Sequence, residues 1–344
     1  MTLSSHPRRA LLGAPLIVGP LLVGPLLVAL AGCAGTAEPA SSSPTATSSQ
    51  AAPSAVTVDN CGTSVTVESA PQRVVTIKSS TTEMMLALGL ADRLVGTAFS
   101  DGPVPDEYAA AAADVPVLSD KVPGQEALLE VEPDFVYGGW ESNFSADGVG
   151  ERASLAALGI GTYVSPSACK EPGYMPDPLT FDDVYDEVLE AGDVFGAPAV
   201  ARDVVADMQA TLATAQRPSD EVSALWWSSG TDTPYVGAGI GAPQMLMDAA
   251  GLTNVVADVH DTWTSVGWEQ VVAADPDVIV LVDSSWNTAE HKKESLASNP
   301  ATAALTAVRE GRYLVVPFAA SEAGVRNADA VVSLDEQLAE LGLG

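Results

Sequence analysis

Residues 126–136 read EALLEVEPDFV, and residues 269–279 read EQVVAADPDVI. Each stretch begins with a short helical pattern, turns at an acid–proline–aspartate sequence and continues into an apolar run typical of a strand. Short helices that alternate with apolar strands are typical of α/β proteins, whose helices cover a mostly parallel sheet. Two copies predict two similar lobes, although a single match also arises by chance, since this order of elements is common.

Further segments agree with two lobes. Residues 83–90 (EMMLALGL) resemble residues 244–252 (QMLMDAAGL), which gives a second matching pair. Strands are predicted at four β-branched or apolar runs, residues 73–77, 135–137, 278–282 and 313–316. The sequence therefore predicts an α/β fold with two Rossmann-like lobes, formed by residues 56–179 and residues 218–344.

Residues 180–217 separate the two predicted lobes. Their apolar side chains recur at helical spacing, and acids are enriched at the start of the segment, as helix N-termini favour. Gly192, Gly196 and Pro198 predict that the segment divides into two helices. We expect these helices to form a stiff connection between the lobes.

The N-terminus has the pattern of an export signal. Residues 1–32 combine two arginines with a long apolar run, and LAGC at residues 30–33 resembles the lipobox of bacterial lipoproteins. The alternative is a transmembrane anchor, because the run approaches the length that spans a bilayer. We expect a lipid on Cys33, a flexible tether over residues 33–55, which are rich in Ala, Ser, Thr and Pro, and a protein held at the outer face of the cell membrane.

The composition excludes some partners and leaves others open. The chain has 45 acidic and 15 basic residues, a net charge of −30, which argues against nucleic acid and against adhesion to anionic lipid. If Cys33 carries lipid, two cysteines remain, Cys61 and Cys169. In an exported chain this even number predicts a disulfide, and two unrelated thiols are the alternative.

Signatures of catalysis are weak. His260 and His291 lack the spacing of metal ligands, and the P-loop, HExxH and GxSxG motifs do not occur in the sequence. We therefore expect neither an enzyme nor a bound cofactor or metal. Residues 237–242 (GAGIGA) match a dinucleotide-binding pattern, but the proline before them weakens a central strand. The preferred interpretation is that Gly239 and Gly241 let an anionic ligand approach backbone N–H groups at a helix N-terminus.

Aromatic and hydroxyl residues follow several predicted strands. In open α/β sheets, ligands bind beyond the carboxyl ends of the strands. The candidate ligand-binding residues at such ends are Ser79, Ser80, Trp140, Glu141, Trp227, Ser228 and Trp286. Trp226 fits core packing equally well. Lys78 and Arg326 are candidates to neutralise an anion, because cations are scarce, and ordinary surface salt bridges are the alternative for each.

Three segments together resemble the iron-siderophore and cobalamin class of periplasmic binding proteins: PQRVVTI at 71–77, TEMMLALGLADRLVG at 82–96 and LLEVEPDFV at 128–136. The resemblance implies two α/β lobes joined by one long rigid helix, a ligand between them, and delivery to the permease of an ABC importer by a monomer. It also implies that Glu126 and Glu269, one in each repeat, dock onto permease arginines. A helix N-terminal acid is the alternative for either residue alone.

A narrower resemblance concerns the ligand. The segments VDNCG (58–62), TIKSS (76–80), GGWESN (138–143), WWSSGTDTPYVGAGIG (226–241) and WNTAE (286–290) resemble the actinobacterial binding proteins of coenzyme F(420)-0 transporters. That subgroup implies a deazaflavin that carries a phosphodiester and a carboxylate. A ferric siderophore and cobalamin remain as alternatives, in that order. An enzyme on the same scaffold and a sensor lipoprotein are the rival classes.

Overall fold

The computed structural model describes residues 55–344. The predicted signal peptide, the lipidation site at Cys33 and nearly all of the tether lie outside these described residues. Within them, no helix is both long and apolar enough to cross a membrane.

The elements alternate along the chain as an α/β fold requires. The strands are β1 (Val56–Asn60), β2 (Thr63–Val67), β3 (Val74–Ile77), β4 (Leu94–Ala98), β5 (Val117–Ser119), β6 (Phe135–Gly138), β7 (Gly161–Val164), β8 (Val222–Ser229), β9 (Tyr235–Gly237), β10 (Leu252–Asn254), β11 (Trp263–Ser265), β12 (Val278–Asp283) and β13 (Tyr313–Pro317). The α-helices are α1 (Ser79–Ala87), α2 (Asp106–Ala112), α3 (Gln125–Glu130), α4 (Arg152–Ala157), α5 (Phe181–Val194), α6 (Pro198–Leu212), α7 (Ala242–Ala249), α8 (Trp268–Ala274), α9 (Ala289–Ser298), α10 (Thr306–Glu310) and α11 (Asn327–Glu340).

The N-terminal lobe is built on a five-stranded parallel sheet in the order β5-β4-β3-β6-β7. The chain leaves β3 for β4 on one side and returns to β6 on the other, so the strand order reverses at β3. Such a switch point opens a crevice beyond the carboxyl ends of the strands. Lys78 follows β3 and Trp140 follows β6, so the topology brings both residues to this crevice.

The C-terminal lobe has a mixed sheet in the order β11-β9-β8-β12-β13, and β10 also pairs with β8. Strands β8, β10, β12 and β13 are parallel, whereas β9 and β11 run antiparallel at one edge. The apolar run predicted as a buried parallel strand is β12, which lies between β8 and β13 with its first five residues buried. The prediction of an α/β fold is confirmed.

The connection between the sheets consists of two helices, α5 and α6, which pack against each other. Gly196 adopts a left-handed φ of 73° between them, and Pro198 occupies the first turn of α6, where a missing N–H costs nothing. The single long helix of the resembled class is thus replaced by two shorter ones. One buried apolar cluster contains residues of both lobes together with α5 and α6, so the connection shares a core with each lobe.

The predicted disulfide is confirmed. Cys61 and Cys169 are bonded, with their Cα atoms 5.3 Å apart. Cys61 and Gly62 form the two-residue turn between β1 and β2, and both have positive φ, as a tight hairpin turn requires. The bond ties this hairpin to the segment that precedes α5.

Candidate functional site

Lys78 lies at the centre of the space where the lobes face each other. Its side chain is fully buried and forms an ion pair with Asp101. Its ammonium nitrogen also lies 4.3 Å, 4.0 Å and 4.3 Å from the ring centroids of Phe99, Trp140 and Phe318, within cation–π range. We call these three rings the aromatic cage; Phe99 and Trp140 belong to the N-terminal lobe, and Phe318 to the C-terminal lobe.

The backbone of Lys78 is strained. Its φ of 90° lies in a region that residues other than glycine rarely adopt. Strain of this kind persists where the surrounding structure fixes it, often at ligand sites. The conformation turns the chain from β3 into α1 and directs the lysine side chain into the aromatic cage.

A set of polar contacts joins the two lobes beside the cage. The Trp140 indole N–H donates to one carboxylate oxygen of Glu322, and the Ser80 hydroxyl donates to the other at 3.1 Å. The Arg326 guanidinium donates two hydrogen bonds of 2.5 Å to Glu83, a bidentate pair. We call these five residues the latch. The two lobes are thus closed on each other, with their own side chains between them.

The two predicted cations are therefore already neutralised. Lys78 is paired with Asp101, and Arg326 is paired with Glu83. The alternative interpretation of Lys78 as a partner in an ordinary surface salt bridge is wrong, because its side chain is fully buried. Glu83 occupies the Nε–Nη2 edge of the Arg326 guanidinium, so an anion that binds bidentately at this edge has to displace Glu83, and the latch then opens.

Burial changes the protonation of the latch carboxyls. It raises the pKa of Glu322 to about 7, and the nearby Lys78 ammonium opposes only part of this effect. It also raises the pKa of Glu83, despite the bidentate contact with Arg326. Opening the lobes returns water to these carboxyls and lowers each pKa toward its ordinary value.

We expect lobe closure to depend on pH through Glu322. Its pKa is raised in the closed state, so its contribution to closure is fully present below pH 4.5 and is lost as the pH rises toward about 7. Small-angle scattering of the ligand-free protein should therefore show an increasing open fraction between pH 4.5 and 7. Glu322→Gln should weaken this pH dependence, and Glu290→Gln, an exposed change on α9, should leave it as it is. An identical pH profile in Glu322→Gln would rule out this assignment.

Trp227 and Ser228 lie in the core rather than in the cleft. They belong to β8, which continues to Ser229, and only 2% of Trp227 and 3% of Ser228 is exposed. The Trp227 ring packs edge-to-face on Trp268 at 5.3 Å, and its N–H donates to the Ser229 carbonyl. Trp226 is fully buried, so its alternative of core packing is correct.

Gly239 and Gly241 serve the packing of the chain itself. Residues 238, 239 and 240 donate their N–H groups to carbonyls of the loop 259–262. A Cβ on Gly239 would lie 2.0 Å from the Ala257 carbonyl oxygen, and one on Gly241 would lie 2.8 Å from the Thr262 carbonyl oxygen. The interpretation that these glycines admit a ligand is wrong, because the chain's own loop occupies the space. The dinucleotide pattern is equally excluded, since β9, the strand before it, pairs antiparallel with both of its neighbours, β8 and β11.

Trp286 and Glu141 lie at the rim of the closed cleft. Trp286 is 50% exposed and packs against Phe318 at 5.6 Å. Its loop is held by the buried Lys292, whose ammonium donates to the carbonyls of Val282 and Asn287. Glu141 accepts a hydrogen bond from the Lys170 backbone N–H, and the Lys170 ammonium reaches across to Thr262 at 2.6 Å. Ser79 is buried and accepts the backbone N–H of Asp101.

The predicted docking residues occupy matching positions. Glu126 and Glu269 are exposed acids in the first turns of α3 and α8, each of which precedes a central strand of its sheet. Among residues 55–344, no group of three or more His, Cys, Asp or Glu side chains could hold a metal ion. His260 contacts Asp177 at 3.5 Å on the surface, and His291 is an exposed residue of α9.

Two α/β lobes that close over an aromatic site define a two-lobed solute-binding protein. The periplasmic binding protein family matches residues 74–320, and the chain belongs to this family. A periplasmic binding protein from Veillonella parvula has the same fold, with a TM-score of 0.72, 29% identity, and coverage of 83% of this chain and 97% of that one. The Fe3+-hydroxamate ABC-type transport system structure from Saccharomonospora viridis gives a TM-score of 0.69 and 28% identity over 82% of this chain and 98% of its own.

Curated relatives agree with this family. The uncharacterized ABC transporter substrate-binding lipoprotein YvrC of Bacillus subtilis is 25% identical over 82% of this chain and 85% of its own length. The cobalamin-binding protein of Halobacterium salinarum is 27% identical over 64% of this chain and 57% of its own length. The chain is thus an extracytoplasmic substrate-binding protein of the ABC transporter class. Three of the four named proteins are described as binding proteins, and the fourth as a transport system.

Proposed function

We propose that the protein captures a small anionic molecule with a flat ring, a deazaflavin precursor such as coenzyme F(420)-0, between its lobes and delivers it to the permease of an ABC importer. The observation that carries the proposal is the composition of the closed cleft. Four aromatic rings and two cations meet there, and the cations are held by the chain's own carboxylates.

The electrostatics of the latch support an anionic ligand. A guanidinium presents a planar fork that fits a carboxylate or a phosphate with two parallel hydrogen bonds. Glu83 makes that contact with Arg326 in the closed, ligand-free state. A ligand carboxylate or phosphodiester would replace it when the lobes open. Burial raises the pKa of Glu322 to about 7 only in the closed state, so this carboxyl repels a bound anion less after the lobes have closed than while they are open.

The aromatic residues support a flat ring. The Trp140 ring lies 5.5 Å from the Phe99 ring and 6.3 Å from the Phe318 ring. The Phe318 ring in turn packs against the ring of the exposed Trp286. Rings at such distances interact favourably and bury a large apolar area, and an indole adds one hydrogen-bond donor. On opening, these rings are free to stack on a deazaflavin.

A ferric siderophore, or less directly cobalamin, is the second candidate. The names of the relatives favour it, because one belongs to a ferric hydroxamate system and another binds cobalamin. A metal that arrives inside its chelate needs no protein ligands, which agrees with the lack of a metal-binding group among residues 55–344. The same rings and the same arginine would contact the chelate.

The N-terminal segment supports a place at the membrane. We propose that Cys33 carries a lipid. The lipid and the flexible tether anchor the monomer to the outer face of the cell membrane. The lipobox-like sequence supports this, as does the description of the Bacillus subtilis relative as a lipoprotein. Glu126 and Glu269, exposed on separate lobes, would then meet the permease.

Titration distinguishes the ligands. Coenzyme F(420)-0 should quench tryptophan fluorescence with one-to-one stoichiometry at micromolar concentration or below. Arg326→Gln should weaken binding about tenfold or more, because a hydrogen bond between charged groups contributes about 1.5–3 kcal/mol. Arg309→Gln, an exposed arginine of α10, should have no effect. Tight binding of a ferric hydroxamate or of cobalamin without a response to F(420)-0 would overturn the deazaflavin assignment and favour the second candidate.

A further inference from the structure

Asp101 has an unused hydrogen-bond acceptor in the closed cleft. It lies in the loop after β4 of the N-terminal lobe, and only 2% of the residue is exposed. One carboxylate oxygen, Oδ1, accepts from the Lys78 ammonium. The other, Oδ2, is buried and has no hydrogen-bond partner among the described residues. Such an oxygen is costly, so a donor that reached it would stabilise the site.

The C-terminal lobe covers this carboxylate. The Ser285 N–H donates to the Asp101 backbone carbonyl at 2.8 Å, and the Phe318 ring contacts the same ammonium that Asp101 holds. The Asp101 charge also adds to the rise in the pKa of Glu322 that burial causes, so these two carboxyls are close. Opening of the lobes removes Ser285, Phe318 and Glu322 together. It therefore exposes Asp101 to a ligand that enters the cleft.

Lys78 supplies the complementary donor. Its ammonium carries three N–H groups, and within residues 55–344 its only oxygen partner is Asp101. The ammonium and the carboxylate thus offer a donor and an acceptor side by side at the aromatic cage. Lys78 would repel a second cation, and Asp101 and Glu322 would repel a carboxylate. The place suits a neutral group that itself carries one donor and one acceptor.

We propose that Asp101 and Lys78 recognise the imide edge of a flat ring, with the ring N–H donating to Oδ2 of Asp101 and the neighbouring carbonyl accepting from the Lys78 ammonium. This contact rests on the proposed function and deepens it, because the pyrimidinedione ring of a deazaflavin has an N–H, at N3, between two carbonyls. The aromatic cage then contacts the ring faces, and Arg326 is left for the phosphodiester or carboxylate. Asp101 is thereby a specificity-determining residue of the cleft.

Fluorescence titration with coenzyme F(420)-0 and with its N3-methyl derivative tests this contact. Methylation removes the N–H and leaves the ligand's net charge unchanged, so general electrostatics affects both ligands alike. The wild type should bind the methylated ligand about tenfold more weakly, because a hydrogen bond to a charged group is lost. Asp101→Ala should bind F(420)-0 about tenfold more weakly and the two ligands within about threefold of each other. Asp114→Ala, a change of an exposed aspartate in the same lobe, is the matched control and should behave as the wild type does.

The outcomes separate this contact from the proposed function. Equal binding of both ligands by the wild type, or an undiminished preference in Asp101→Ala, would overturn the contact and leave the proposed function standing. If the wild type binds neither ligand, the proposed function fails and the contact fails with it. If Asp101→Ala does not fold, Asp101→Asn replaces it. Its amide oxygen accepts an N–H without a charge, so the preference for F(420)-0 should fall about threefold, and an unchanged preference would also overturn the contact.

Discussion

Replacing Cys61 and Cys169 with serine should lower the free energy of unfolding by about 4 kcal/mol. The bond closes a loop between residues 108 positions apart, and a cross-link of that length removes much of the entropy of the unfolded chain. Both cysteines are buried, so loss of the disulfide also loosens the contact of the β1–β2 hairpin with the segment before α5. Urea unfolding of the wild type and the double variant measures the difference.

Reduction supplies the control for this result. Dithiothreitol should destabilise the wild type by a similar amount and leave the double-serine variant unchanged, since that variant has no bond to lose. Equal stability of oxidised wild type and variant would show that the bond contributes nothing to the folded protein.

Replacing Glu126 and Glu269 with alanine should nearly abolish uptake in cells while ligand affinity stays the same. Charge pairs in close contact at interfaces couple by about 1.5 kcal/mol or more, which is roughly tenfold in binding for each pair. Two independent losses therefore predict permease binding about a hundredfold weaker. Both residues are exposed and lie outside the aromatic cage and the latch, so capture of the ligand should not change.

The matched control for this pair is Glu107→Ala with Glu290→Ala. These two are also exposed first-turn glutamates, one in each lobe, on α2 and α9. The control should transport normally, because a helix N-terminal acid contributes only modestly to stability. Equal uptake in both double variants, or loss of ligand binding in the Glu126 and Glu269 variant, would refute docking through these residues.

The fold followed closely from sequence because its signals are local. The strand before Lys78 and the apolar run 278–282 lie within one or two residues of their predicted limits, and the glycines and proline between residues 192 and 198 marked the break in the connection. The even cysteine count was enough to predict the disulfide. Each of these features depends on neighbouring residues and on simple rules of backbone geometry.

The site followed only in part, because pairing across the cleft depends on residues distant in sequence. The strand-end rule predicted Lys78 and Trp140 but missed Phe99 and Phe318, which also directly follow strands, β4 and β13. It misplaced Trp227, because β8 extends two residues beyond that tryptophan.

The carboxylates of the latch had no sequence signal of their own. Glu83 and Arg326 are 243 positions apart, and Glu322 and Trp140 are 182 apart, so neither contact can be read from local spacing. Glu83 lies inside the helical pattern of residues 83–90, which the sequence analysis used only as evidence for two similar lobes. These contacts became visible only once the two sheets faced each other.

The claim that a small molecule binds between the lobes is tested most directly by native mass spectrometry of the protein purified from cells that contain its natural ligand. We expect a complex with one bound small molecule, whose mass identifies a deazaflavin, a ferric siderophore or a cobalamin. Arg326→Gln should lose most of the bound fraction, and Arg309→Gln should retain it. A bound molecule that persists undiminished in Arg326→Gln, or unliganded protein under conditions in which the importer is active, would contradict the account.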